Sequence, residues 1–316
     1  MFSMEKSDST SFAPIALFTY SRADHTRAAV ESLLQNKETT ESDLYIFSDG
    51  PKTEEKREAV EENRRYIHSI TGFKSIHIVE REKNWGLANS LIAGITDVVN
   101  RYGRVIVVED DLILSPYFLQ YMNEALEKYK DEDRVASVSA FLNPIDCKAP
   151  DTFFLRYFAC WGWATWKRGW DLLINDDRVL LKQLRWKKND FNIGGTGPFY
   201  GILYCDKVGL NDSWAVRFYA SQFLAGKLQL FPGRTMAVQT GMDGSGTHSS
   251  DVLSPYYGME PASSPISLEN IPVEENREMY KAFSRFYRGD RTSCLWLRYY
   301  EKLKSFVRRL FGIDYK

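Results

Sequence analysis

The stretch RVIVVEDDLILSPYF, residues 104–118, joins a buried strand to a cluster of acids. Its apolar run, residues 105–108, predicts a strand in the protein core, and three consecutive acids, Glu109, Asp110 and Asp111, follow directly. Clustered carboxylates repel one another unless a positive charge lies among them, and a divalent cation is the usual partner. Because hard oxygen ligands suit Mg²⁺ or Mn²⁺, the stretch predicts a metal that bridges to the phosphates of a substrate.

The same acids could instead favour the positive end of a helix dipole, since DLILSPYF leads toward a helix. Ser115 and Pro116 make a better cap and first turn for that helix than the acids do. The acids therefore stand between strand and cap, which favours the metal–phosphate interpretation.

Strands alternate with helices on both sides of this stretch. Apolar runs predict strands at residues 15–19, 44–47, 75–82, 104–108 and 134–141, and helical periodicity predicts helices at residues 24–36, 53–70, 87–102 and 117–130. The alternation predicts an α/β fold with a mostly parallel sheet, in which ligands bind beyond the carboxyl ends of the strands. Polar clusters fall at four such ends, at residues 20–24, 49–50, 84–89 and 109–111. Beyond Asn143 the alternation becomes irregular, and residues 249–275 predict an extended crossing or loop.

The composition is that of an ordinary soluble globular protein. The 316 residues suffice for one large α/β domain or two small ones, and the formal net charge of −1 gives no sign of a nucleic-acid partner. The four cysteines form no CxxC pair, which argues against a zinc site or a disulfide framework and favours a cytoplasmic location. Neither a signal peptide nor an apolar run of about 18 residues is present, so we expect no membrane-spanning helix.

Five segments of the chain resemble segments of one enzyme family. VVEDDLILSPYFLQYMNEAL resembles the metal-binding segment of N-acetylglucosaminyltransferase I and its bacterial relatives, which are nucleotide-sugar glycosyltransferases of the GT-A fold related to family 2. ALFTYSRADHTRAAVESLL is similar to the first strand, turn and helix of that family, and NWGLANSLIAGI to the segment before its acidic motif. CWGWATWKRGW and MDGSGTH resemble segments of bacterial members.

The resemblance implies a domain organisation and a setting. It implies a GT-A domain over residues 1–250, with a donor-binding half at about 13–143 and an irregular acceptor half at about 144–250. An extended segment and a basic amphipathic helix would follow within residues 251–316. The implied setting is bacterial polysaccharide assembly, with a UDP-linked sugar as the donor and a glycan or lipid-linked acceptor.

The resemblance also implies roles for the residues at the strand ends. Asp111 would bind the metal, Asp110 would lie by the ribose, and Glu109 would lie near the sugar. Tyr20 and Arg22 would meet the nucleotide, although Arg22 alone is equally typical of a surface ion pair.

Further nucleotide contacts are implied beyond the second and third strands. Asp49 would contact the uracil, although an Asp-Gly pair is also a common turn. Asn84, Gly86 and Asn89 would line the nucleotide pocket, where Gly86 permits close backbone approach. Asn84 could instead cap the helix that follows it.

A general base is implied in the segment GLNDSWAVRFYAS. Inverting transfer needs a group that takes a proton from the acceptor hydroxyl, and Asp212 stands where the family places an acid. The segment departs from the family pattern at Ser213, which leaves the register of the base open by one position. The alternative is that Asp212 caps a helix that ends near Ala225.

Two further segments are candidates for ligand contact. Trp161, Gly162 and Trp163 could form a wall of the donor or acceptor site, and the alternative for such tryptophans is core packing. His248, in a glycine-rich segment typical of a closing loop, could meet the metal or the diphosphate.

The alternatives to a glycosyltransferase are a nucleotidyltransferase and a non-catalytic carbohydrate-binding protein. A nucleotidyltransferase usually has glycines after the first strand, and TYSRADHTRA has none. A binding module would not need the acidic triplet. Residues 295–312, with a net charge of +4 on an amphipathic helical pattern, predict either contact with an anionic membrane surface or packing on the domain.

Overall fold

The computed structural model describes residues 12–241 and 255–289, and it confirms the α/β class. An eight-stranded sheet has the order β3-β2-β1-β4-β8-β6-β9-β7, and β10 pairs with β5 in a separate two-stranded sheet. The strands are β1 Ile15–Thr19, β2 Asp43–Ser48, β3 Ser75–Glu80, β4 Arg104–Glu109, β5 Leu112–Leu114, β6 Val135–Ser139, β7 Thr152–Leu155, β8 Trp163–Trp166, β9 Leu228–Pro232 and β10 Ala237–Gln239. Strands β1 to β4 run parallel, whereas β8 is antiparallel to both of its neighbours.

Helices cover both faces of the sheet. They are α1 Ala23–Leu34, α2 Arg57–Ile67, α3 Leu87–Tyr102, α4 Phe118–Lys128, α5 Lys167–Trp170, α6 Asp177–Leu184, α7 Lys188–Phe191, α8 Phe199–Lys207, α9 Trp214–Leu224 and α10 Arg277–Gly289. The predicted helix at 53–70 is shorter, because Glu54–Lys56 form a separate 3-10 turn ahead of α2. Helix α3 has the predicted bounds, since Gly86 and Gly103 adopt positive φ at its two ends.

Alternating residues of the central strands build two apolar layers. Ala16 and Phe18 of β1 join the layer that contains α3 and most of the core residues beyond about position 144. For these two parts of the chain we keep the labels donor half and acceptor half as names of position only. Ile15 and Leu17 join the opposite layer, which contains α1 and α4. Helix α3 packs closely because Gly94 has no side chain, and a Cβ there would lie 2.7 Å from Cε1 of Phe18.

Residues 255–276, here called the C-terminal strap, cross the domain without a helix or a strand, as the sequence predicts for this part of the chain. The hydroxyl of Ser115 donates to the carbonyl of Ala262 at 2.6 Å. Farther along, the backbone N–H of Asn276 donates to the carbonyl of Phe154 at 2.8 Å. Helix α10 follows the strap and buries Phe283 in the core of the acceptor half. The strap therefore ties both halves of the domain together.

Two predictions fall on parts of the chain that the structure does not describe. His248 and the amphipathic segment 295–312 both lie outside the described residues. Within residues 12–241 and 255–289, no helix combines the length and apolarity needed to cross a bilayer.

Candidate active site

Four strand ends meet at one edge of the sheet. In the parallel register Phe18 pairs with Glu109, and Thr19 pairs with Ser48. Ser48 in turn pairs with Glu80 at the end of β3. The polar clusters that follow β1, β2, β3 and β4 are therefore neighbours, as the sequence predicts for the carboxyl ends of parallel strands.

The acidic triplet shares one cation that comes from the β1 turn. Nη2 of Arg22 donates to Oδ1 of Asp110 at 2.7 Å and to Oδ2 of Asp111 at 2.8 Å. Burial raises the pKa of Glu109 to about 8, and the neighbouring carboxylates of Asp111 and Asp110 add to that effect. Burial also raises the pKa of Asp110 to about 6, although Arg22 opposes the shift. Arg22 is thus in an ion pair, but with Asp110 and Asp111 at a partly buried position and not on the open surface.

The strand β10 delivers a glycine onto the triplet. The backbone N–H of Thr240 donates to the carbonyl of Asp111 at 2.8 Å. A Cβ at Gly241 would lie 2.5 Å from Oδ2 of Asp111 and 2.9 Å from Nη1 of Arg22. Gly241 therefore lets the backbone close over the carboxylates, a role that the sequence reasoning did not identify.

The triplet can converge on a cation with two carboxylates. Asp110 and Asp111 already approach a single guanidinium nitrogen at 2.7 and 2.8 Å, so the same oxygens can approach a hard metal ion. Across residues 12–241 and 255–289, no group of three or more His, Cys, Asp or Glu side chains is arranged to hold a metal. The residues present thus fit a divalent cation whose other ligands come from water and from a substrate's phosphates.

Asp49 fastens the loop between β3 and α3. Oδ1 accepts from the backbone N–H of Gly50 and of Trp85, each at 2.9 Å, and Oδ2 accepts from that of Gly86 at 3.0 Å. Nδ2 of Asn84 donates to the carbonyl of Gly50 at 2.8 Å, so its side chain joins the same two loops. Gly86 itself stands at the cap position of α3, where no side chain caps the helix, so the alternative of an Asn84 cap is wrong.

The loop that Asp49 fastens presents Trp85 and Asn89 at the surface. The guanidinium of Arg81 lies 3.7 Å from the ring centroid of Trp85, which remains 48% exposed. Nδ2 of Asn89 donates to the carbonyl of Trp85 at 3.0 Å. Tyr20 closes the other side of the cluster, where its hydroxyl accepts from the backbone N–H of Lys52 at 3.0 Å. The sequence reasoning missed Trp85 and Arg81, although a tryptophan inside a polar turn is an unusual residue.

Two of the three predicted wall residues belong to the core. Trp163 has no exposed surface, and its ring stacks on Trp214 with centroids 5.6 Å apart. A Cβ at Gly162 would lie 3.2 Å from the Phe118 ring, so this glycine allows core packing. The prediction that Gly162 and Trp163 form a ligand wall is wrong for these physical reasons. Trp161 keeps partial exposure, and its ring lies edge-on to Tyr256 at 5.0 Å.

At the start of α9, the residue that caps the helix and the candidate base are two different residues. The hydroxyl of Ser213 accepts from the backbone N–H of Val216, so Ser213 is the cap and the Asp212 alternative is wrong. The side chain of Asp212 is 62% exposed and accepts from Nη2 of Arg217 at 2.8 Å. Trp214 brings this turn toward the carboxyl edge of the sheet, because its partner Trp163 pairs with Val107 of β4.

A buried carboxylate supports that turn from behind. Oδ2 of Asp206 accepts from the backbone N–H of Ser213 at 2.9 Å and lies 3.7 Å from Nη1 of Arg217. Burial raises the pKa of Asp206 to about 6. The sequence reasoning identified neither Asp206 nor Arg217, because their partners are separated from them by a loop and a helix turn.

The comparison with known proteins concerns the part of the chain that carries this site. Residues 15–175 match the family model described as Glycosyl transferase family 2. Among solved structures, the chain is similar to the mannosyltransferase PcManGT from Pyrobaculum calidifontis in complex with GDP-Man and Mn²⁺, at 12% identity and a TM-score of 0.39, over 71% of this chain and 73% of that one. It is also similar to a UDP-glucose pyrophosphorylase complexed with UDP-glucose, at 11% identity and a TM-score of 0.29, over 51% of this chain and 79% of that one. No curated protein matches the chain.

Proposed function

Because this chain belongs to glycosyl transferase family 2, an enzyme family that transfers sugars, we propose that it moves a sugar from a UDP-linked donor to a glycan or lipid-linked acceptor. The reaction is a metal-dependent, inverting single displacement. The observation that carries the proposal is the convergence of Asp110 and Asp111 on one cationic nitrogen at the carboxyl edge of the sheet. The closer likeness to N-acetylglucosaminyltransferase I stays a prediction.

Asp111, with Asp110 beside it, would hold Mn²⁺ or Mg²⁺. When bound, the ion neutralises charge that builds on the diphosphate as its bond to the sugar breaks. Arg22 would contact a phosphate of the donor, for which its planar fork of donors is suited. Glu109 lies beside the transferred sugar, and a protonated Glu109 can donate a hydrogen bond to a sugar oxygen.

The nucleoside lies against the loops that Asp49 joins. Tyr20, Asn84, Gly86 and Asn89 line this pocket, and Asp49 keeps its lining in place through the backbone groups of the loop. Trp161 forms part of the wall of the donor or acceptor site, and the expected contact of His248 with the metal or the diphosphate falls outside the described residues. The protein works in the cytoplasm, where nucleotide sugars are available.

Asp212 acts as the general base. Its carboxylate accepts the proton of the acceptor hydroxyl while that oxygen forms a bond to the anomeric carbon and the bond from that carbon to the diphosphate breaks. The contact from Arg217 at 2.8 Å orients the carboxylate. The exposure of Asp212 leaves its second oxygen open to an acceptor.

The test is metal-dependent release of nucleoside diphosphate across a panel of UDP-linked and GDP-linked sugars. We expect activity with Mn²⁺ or Mg²⁺, no activity in excess chelator, and loss of activity in Asp111→Ala with the fold retained. Asp131→Ala removes an exposed carboxylate far from the triplet and serves as the matched control. Activity in chelator would contradict the metal role, and release of a nucleoside triphosphate in the presence of pyrophosphate would favour a nucleotidyltransferase.

A further inference from the structure

Helix α6 packs one apolar face against the domain, and large apolar side chains are also exposed on its outer side. Leu180, Leu181 and Leu184 are buried on the acceptor half. The outward face carries Val179, and Trp186 follows the helix with 84% of its surface exposed. Trp186 is the most exposed large apolar side chain of the described residues.

The surface around Trp186 is strongly basic. Residues 178–189 contain five basic residues and no acidic residue, and we call their exposed side chains the α6 basic surface. It consists of Arg178, Lys182, Arg185, Trp186, Lys187 and Lys188. In the described ranges none of its cations forms an ion pair, whereas other surface cations such as Lys227 and Arg134 do.

Aromatic rings are interleaved with these cations. The guanidinium of Arg185 lies 4.9 Å from the Trp186 ring, and Nζ of Lys188 lies 4.9 Å from the Tyr200 ring. Helix α8 packs beside α6 and adds an exposed Tyr204 with Lys207 close to its ring. Unpaired cations repel one another and exposed rings are poorly solvated, so the surface is better satisfied by a partner that is both anionic and apolar.

We propose that the α6 basic surface seats the protein on an anionic lipid bilayer, with Trp186 entering the headgroup region. Tryptophan prefers the membrane–water interface, and cations around it are attracted to acidic headgroups. This charge complementarity favours a bilayer over a neutral glycan or a second copy of the chain, which would bring like charges together.

The position of the α6 basic surface points to a role in presenting the acceptor, and this role rests on the proposed function. The first residue of α6, Asp177, is close enough to Asp212 and Arg217 to interact electrostatically with both. Eight residues of helix span about 12 Å, so the basic end of α6 lies about one helix length from Asp177. A lipid-linked acceptor that emerges from the bilayer would therefore be presented close to Asp212.

The test is cosedimentation of the full chain with neutral phosphatidylcholine vesicles and with vesicles that contain phosphatidylglycerol. We expect binding to the anionic vesicles only, falling as salt is raised. Lys182→Glu with Lys187→Glu should weaken it at least tenfold, since each basic residue contributes about 1 kcal/mol at such a surface. The matched control, Lys56→Glu with Arg65→Glu, makes the same charge change on exposed positions around α2 and should retain most binding.

A second pair of variants tests the aromatic anchor. Acyl chains that carry bromine should quench tryptophan fluorescence in the wild type, and Trp186→Phe should lose most of that quenching. Trp186→Ala should weaken vesicle binding, whereas Tyr257→Ala, which removes another exposed aromatic, should not.

Several outcomes would overturn the proposal. These are equal vesicle binding by Lys182→Glu/Lys187→Glu and wild type, as expected if residues 295–312 alone bind lipid, and absence of a preference for anionic vesicles. A Trp186→Ala variant that binds vesicles normally but shows a higher KM for a soluble glycan would make this a saccharide surface instead. Transfer to a soluble acceptor keeps the two proposals apart, because loss of lipid binding should leave it unchanged.

Discussion

The donor half concentrates buried charge at strand ends, whereas the acceptor half concentrates buried rings. At the β4 end, Asp110 and Asp111 pair with one arginine next to Glu109, an arrangement that costs solvation free energy and adds nothing to an apolar core. In the acceptor half, Trp163 packs among Trp214, Phe158 and Phe218, where burial itself is stabilising. Clustered charge beyond a core strand therefore indicates function more strongly than clustered tryptophans do.

The largest effect should come from the acceptor half's exposed acid. Asp212→Asn is expected to lower the turnover rate by about 10²–10⁴-fold, because the amide cannot accept the proton of the acceptor. Donor affinity, measured by calorimetry, should change little, since the amide oxygen can still accept from Arg217. The neighbouring variant Ser213→Ala should instead lower the free energy of unfolding by about 1 kcal/mol, because it removes the helix cap, and should leave the turnover rate unchanged. Wild-type turnover in Asp212→Asn would place the base elsewhere.

The aromatic cluster should respond in stability. Trp163→Ala is expected to lower the free energy of unfolding by about 3–5 kcal/mol, measured by urea denaturation, because it removes a fully buried ring. Trp161→Ala, which deletes a partly exposed ring, should cost less and should act on the KM of the donor or acceptor. Equal stability losses in the two variants would contradict the assignment of Trp163 to the core and of Trp161 to a wall of the site.

Asp206 is a buried carboxylate of the acceptor half, and its effect should depend on pH. Burial raises its pKa from 3.8 to about 6, so between these values the folded protein holds the proton more tightly than the unfolded chain. Its stabilising contribution is complete below pH 3.8 and is lost as pH rises through 6. Asp206→Asn should therefore show a smaller fall in unfolding free energy across this window than the wild type. Urea denaturation at several pH values measures the free energy of unfolding, and identical pH profiles for the variant and the wild type would contradict the prediction.

The smallest effect concerns the cation that now balances the acids. Arg22→Gln removes a positive charge from Asp110 and Asp111, and we expect it to tighten Mn²⁺ binding without nucleotide by about tenfold, or ~1.4 kcal/mol. Calorimetric titration of the metal measures the change. Arg22→Lys keeps the charge and should stay near the wild-type affinity. Weaker Mn²⁺ binding in Arg22→Gln would show that the arginine assembles the acids and does not compete with the metal.

Local patterns predicted most of the donor half. The bounds of β1 and α3 agree with the sequence, because apolar runs and terminal glycines are local signals. The strand-end acids were likewise found from sequence. The partners of those acids were not, since Arg22 reaches Asp110 across 88 positions and Asp49 reaches Gly86 across 37.

The roles of residues in the acceptor half could not be predicted from the sequence, for a different reason. A tryptophan next to a glycine has the same local pattern whether it lines a pocket or fills a core. Only the neighbours of Trp163, contributed by α9 and by residues before β8, distinguish the two cases. Asp212 and Ser213 show the same limit at a finer scale, because adjacent polar residues can each cap a helix and only their geometry separates the roles.

The late position of the C-terminal strap and helix α10 in the sequence affects how the protein folds during its synthesis. The chain emerges from the ribosome in order, and strands β1 to β4 can pair within the first third of synthesis. The core of the acceptor half cannot close until Phe283 has been translated, because that ring packs between Phe153 and Phe231. Nascent chains arrested before the strap should therefore expose the apolar face of β7 and β9 to chaperones, and release of residues 255–289 should end that exposure.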